Sequence, residues 1–142
     1  MVAKVLIAMD LAESSSKVLK AGKGIANTYG ADCEVIHCME PYIQHLGDIT
    51  LPQVMPDLLE VKQELLPYFE SMAQTHGIDK QHIHIEFGHA AETILTKAKK
   101  ESFDLIVLGS HGKHGVRLLL VSTCNKVLHH AHCDVLAVRI SD

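Results

Sequence analysis

Two hydrophobic periodicities alternate along this chain, and few folds accept both. Five short apolar runs, "KVLIAMD", "CEVIHCM", "HIHIEFG", "FDLIVLG" and "CDVLAVRI", carry the signal of strands. Between them lie stretches with apolar residues at helical spacing. Val18, Ala21, Ile25 and Ala26 share one face of "LAESSSKVLKAGKGIANTYG", with hydroxyls at its start and Gly30 at its end. Leu58, Leu65, Phe69, Met72 and Ala73 share a face of the next, where Pro67 removes a backbone donor and is expected to kink or restart the helix. Ala91, Ile94, Leu95 and Ala98 mark a third helix, with Lys99 and Lys100 in the last turn where the helix dipole favours cations. A fourth is expected from about Leu118 to His130, and "EPYIQHLGDITLPQVMP" reads as a polar, proline-containing connection. Strand and helix in strict alternation imply an α/β fold, a doubly wound parallel sheet with right-handed crossovers and helices on both faces. The unbroken apolar run of "FDLIVLG" suits a strand covered on both sides.

At 142 residues, 47% of them hydrophobic, the chain supports one core, so a single domain over residues 1–142 is expected. No apolar run approaches the roughly 20 residues that span a bilayer, and "MVAKVLIAMD" lacks a secretory pattern. A cytoplasmic protein without a membrane partner is the expectation. A net charge of -4 without a Lys/Arg stripe argues against nucleic acid, whose phosphates are held by clustered cations. Cys33, Cys38, Cys124 and Cys133 form no CxxC pair and are expected to be reduced, buried and structural.

Ligands of doubly wound sheets sit beyond the carboxyl ends of the strands where the strand order reverses, which directs attention to Asp10 after the first strand and Gly109 after the fourth. Gly109, Gly112 and Gly115 allow positive φ and close approach of a ligand, and the amides there favour an anion. The spacing excludes two familiar phosphate loops. Gly112-Lys113 is followed by His114 where a P-loop needs Ser or Thr, and GxxGxxG after the fourth strand is not GxGxxG after the first. The bland alternative is a glycine turn that joins a strand to a helix.

"VLIAMDLAESS", "DLIVLGSHGKHG" and "VSTCNKVLHHAHCDVLAVR" together resemble the universal stress protein family over essentially the whole chain. The resemblance implies a five-stranded parallel sheet in the order 3-2-1-4-5, a homodimer and, in one branch of the family, ATP held by Gly-x2-Gly-x9-Gly-Ser/Thr. The first half of that pattern stands as Gly109-Ser110-His111-Gly112, with Leu108 before it. The second half lacks the family's glycine: matched backward from "VLHHAHCDVLAV" without a gap its place falls on Val121, with Ser122 as the hydroxyl after a spacer of eight, and counted nine forward from Gly112 it falls on Ser122, followed by Thr123. A branched residue there costs a backbone approach to the terminal phosphates, and one lost charge-assisted hydrogen bond is worth about 1.5 to 3 kcal/mol. The resemblance further implies Asp10 at the ribose of ATP or AMP, with Ala8, Met9 and Cys38 flanking the adenine; Asp10 could equally cap the following helix. A non-nucleotide branch, in which the protein is a dimeric interaction module, is the alternative.

Three other chemistries can be weighed. His111, His114, His129, His130 and His132 crowd the last third of the chain, yet no acid or cysteine is spaced to complete a set of zinc donors, so no metal is expected. No nucleophile is spaced beside a base, so neither dedicated catalysis nor more than slow ATP hydrolysis is expected. The last strand is an edge in the order 3-2-1-4-5, apolar and without proline, so a homodimer is expected through Val135, Leu136, Ala137 and Val138.

Overall fold

Five parallel strands form the central sheet of the computed structural model, which describes residues 1–10, 15–39, 43–46, 49–52, 58–110 and 117–140. In chain order the elements are β1 (Lys4–Met9), α1 (Ser15–Tyr29), β2 (Asp32–Met39), β3 (Ile43–Leu46), β4 (Ile49–Pro52), α2 (Leu58–Thr75), a 3-10 turn (Lys80–His82), β5 (Ile83–Phe87), α3 (Ala90–Lys100), β6 (Leu105–Gly109), α4 (Arg117–His130) and β7 (Asp134–Val138). The sheet order is β5-β2-β1-β6-β7, which is 3-2-1-4-5 when only its own strands are counted.

The pleat of each strand divides the core in two. From β1, Val5, Ile7 and Met9 join Val18, Leu19 and Ala26 of α1 and Phe69 and Ala73 of α2. Leu6 points the other way, among Ala91, Ile94 and Ala98 of α3 and Cys124 and Val127 of α4. β6 is buried from Leu105 through Leu108, as its unbroken apolar run requires. On α3, Lys97 reaches into the sheet, 3.5 Å from Glu34 Oε2, while His84 Nε2–H donates to the same oxygen at 2.7 Å. At the amino ends of the strands, the Ala3 and Lys4 amides both donate to Asp104 Oδ2 at 2.9 Å and hold its carboxyl below the usual carboxylate range.

The structure departs from the sequence expectations at three places. The segment expected as a plain connection contains the antiparallel hairpin β3–β4, paired from Ile43↔Pro52 to Leu46↔Ile49. Gly47-Asp48 leaves a two-residue connection between Leu46 and Ile49, a hairpin signal outweighed in the sequence by the prolines around it. Pro67 does not restart the second helix: α2 runs through it as one element, because Phe69 and Ala73 on the following turn are buried in the core and hold the helix to the sheet. Gly109 does not adopt positive φ. Its lack of a side chain serves packing, since a Cβ there would stand 2.5 Å from Ile140 Cδ1.

Gly22 meets a harder constraint. It is a buried glycine of α1 crossing β1, and a Cβ would lie 2.5 Å and 2.6 Å from two carbons of the fully buried Ile7 side chain. Alanine gains about 1 kcal/mol of helix propensity, while overpacking a closed core costs about 1–3 kcal/mol. Overpacking wins here because Ile7 sits at mid-strand with no free side to move into. Gly22→Ala is therefore expected to lower the urea midpoint, and a raised midpoint would mean that α1 lifts from β1 at little cost.

Candidate functional site

The crossovers after β1 and β6 go to opposite faces of the sheet, so a crevice opens between these two strands at their carboxyl ends. A cavity of about 520 Å³ occupies it. Ala8, Met9 and Asp10 enter it from the end of β1, Cys38 from β2, Leu108 and Gly109 from β6, and Thr123 from α4. These residues come from distant parts of the chain and meet because parallel strands end together. Val18, Ile36, Val61, Leu65, Ala90, Ile94 and Ile140 make the rest of the wall largely apolar.

Of the residues singled out from the sequence, Gly112 lies outside the described residues, as do His111, His114 and Gly115. Val121 and Ser122 are placed by their backbone, inside α4; the Ser122 side chain is outside the described part. That placement changes what the hydroxyl pair can offer. α4 begins at Arg117, so the amides of Ser122 and Thr123 lie beyond the first four of the helix and donate within it. Thr123 can bring its hydroxyl to the cavity, not its amide. Ser110, inside the glycine pattern, has its own attachment: its amide and its hydroxyl both donate to the Val138 carbonyl, at 2.9 Å and 3.3 Å.

His37 is the residue that sequence reasoning missed. It lines the cavity, is only 8% exposed, and is the one buried polar or charged residue among the described ones. Its Nδ1–H donates to the Met9 carbonyl at 2.9 Å, and its ring stacks on Phe69 with centroids 4.7 Å apart and planes 28° from parallel. Burial lowers its pKa, against the opposing influence of the Met9 bond and the negative charge of Asp10. The signal was available: in "CEVIHCM" the imidazole falls in step with Val35 on a core-facing row, at the strand end where ligands sit. Cys38, its neighbour, faces the other side of the sheet, with Sγ–H directed at the Ala90 carbonyl at 3.9 Å.

The remaining thiols lie in the core or are half-buried, and burial pushes Cys33 up to about 11 and raises Cys124 and Cys133, which makes all three poor nucleophiles. Among the described residues, no three His, Cys, Asp or Glu side chains converge as metal ligands, and no helix is long and apolar enough to cross a membrane.

The family model described as "Universal stress protein family" matches residues 1–139. Universal stress protein A homolog 2 of Coxiella burnetii is 37% identical, over 96% of this chain and 94% of its own length. Among solved structures, a universal stress protein in complex with cAMP superposes with a TM-score of 0.69 at 20% identity, covering 99% of this chain and 98% of that one. A universal stress protein from Archaeoglobus fulgidus in complex with dAMP does so with a TM-score of 0.62 at 19% identity, covering 96% and 98%. At those identities the structural likeness is one of fold.

Proposed function

Because the chain belongs to the universal stress protein family, we propose that it is a cytoplasmic, homodimeric stress-response module whose cavity holds an adenine nucleotide, ATP or AMP, without catalysing its turnover. The observation that carries this reading is the meeting of Ala8, Asp10, Cys38, Leu108, Gly109 and Thr123 around one largely apolar cavity at the strand-order switch. The cAMP and dAMP complexes of fold relatives support the ligand class. A base fits the apolar wall of Ala8, Cys38 and Leu108, and the Asp10 carboxylate suits sugar hydroxyls as an acceptor. Phosphates would extend toward Gly109 and Thr123.

The grip on those phosphates is weak for two reasons. Val121 replaces the family's glycine, and the amides of Ser122 and Thr123 are engaged inside α4. Each charge-assisted bond lost costs about 1.5–3 kcal/mol, roughly tenfold to a hundredfold in affinity. Most of the binding then resides in the base and sugar, so AMP and ATP are expected to bind with similar affinity. Denaturing the purified protein and chromatographing what it releases, followed by equilibrium dialysis with both nucleotides, checks this. An empty protein that also ignores millimolar AMP and ATP would instead be a dimeric interaction module, the alternative that the Val121 substitution favours.

A further inference from the structure

We infer that His37 reads the ligand's base edge, accepting a hydrogen bond from an amine, and that this makes the cavity select a 6-aminopurine over the same ring without its amine. The inference rests on the nucleotide reading above and adds the residue that sets its specificity.

The argument begins with the proton. A backbone carbonyl can only accept, so the 2.9 Å contact with Met9 fixes the proton on Nδ1. Met9 pairs with His37 across β1 and β2, so the ring cannot turn over without breaking a contact that the strand register supplies. Stacking on Phe69 holds the ring plane as well. In this neutral tautomer Nε2 is an acceptor only.

Among the described residues Nε2 has no hydrogen-bond partner, and no buried side-chain nitrogen or oxygen is left unsatisfied. Nε2 therefore meets open space, and the open space that His37 lines is the cavity. Burial keeps the ring neutral and so keeps the acceptor an acceptor. A fixed acceptor in an otherwise apolar pocket rejects what cannot donate to it, because binding then strips Nε2 of water and gives nothing back.

The test is a cycle of two ligands and two proteins. Affinities of AMP and of purine riboside 5′-monophosphate, which is AMP lacking only the 6-amino group, are measured for the wild-type protein and for His37→Phe. The phenyl ring keeps the stack on Phe69 and removes the acceptor. Wild type is expected to favour AMP by about fivefold to tenfold, the worth of one hydrogen bond, and the preference should vanish in His37→Phe. Equal binding of the two ligands by wild type would overturn the role of His37 and leave the nucleotide reading standing, as would a preference that survives in the folded variant. Binding of neither ligand would overturn both. Since His37→Phe leaves the Met9 carbonyl without its donor and could fail to fold, the 15N resonance of His37 Nε2 in the wild-type protein gives a second measurement. It should move upfield when AMP saturates the site and stay in place with the analogue; no movement with AMP sinks the proposal.

Discussion

Phe69→Ala should lower the stability of the protein by about 3–5 kcal/mol, the range for emptying a large aromatic site in a closed core. The ring is 1% exposed, stacks on His37 and meets Tyr68 edge-on with centroids 5.4 Å apart. Among the described residues it is also one of the two side chains on α2 that are buried against the sheet, with Ala73, on a helix that already carries Pro67. Domains of this size have about 5–15 kcal/mol in all, so the variant should stand near the edge of folding at 25 °C. Urea unfolding followed by circular dichroism is the measurement, and the midpoint should fall with an unchanged slope. A loss under 1 kcal/mol would mean that α2 settles into the space and that the stack on His37 contributes little.

If the chain pairs through β7 as proposed, Ala137→Pro should turn that dimer into a monomer without unfolding it. The Ser110 amide and hydroxyl both donate to the Val138 carbonyl, so the peptide groups of Val138 face β6 inside the sheet. Successive residues of a strand alternate, which turns the peptide groups of Val135 and Ala137 to the open edge. Proline at 137 removes an outward donor that the monomer does not use, at a position where Leu136 is already extended as a pre-proline residue must be. Val138→Pro, by contrast, would break a β6–β7 bond and injure the sheet itself. Sedimentation at micromolar concentration separates the outcomes, and an intact dimer in Ala137→Pro would place the assembly surface away from β7.

Strand and helix placement was legible wherever one periodicity ruled a segment. Ala91, Ile94 and Ala98 are buried on α3, and Leu105 through Leu108 on β6, as their spacing requires. Legibility failed where two signals competed: the prolines around Ile43–Leu46 and Ile49–Pro52 concealed a hairpin, and Pro67 suggested a break that packing overrides. At the cavity, the strand-end rule located Asp10 and Gly109 because it depends on topology, which the alternation fixes. The reason for Gly109 was not legible, since Ile140 lies 31 residues further along and only the fold brings it near. His37 escaped notice because a polar residue inside an apolar run looks like an interruption until the neighbouring strand supplies the Met9 carbonyl.

The cavity also bears on how long the molecule lasts. Its wall takes Met9, Val18 and Ile140 from the core under α1 and α2, and Ile36, Ile94 and Leu108 from the core under α3 and α4. A guest held there acts as a rivet through both halves, and neither half can open to a protease without first releasing it. At a hundred times its dissociation constant such a guest adds about 2.7 kcal/mol against unfolding, a hundredfold drop in the cleavable population. Under the proposed nucleotide binding, the concentration of a small molecule would be written into the lifetime, and so the abundance, of the chain that holds it.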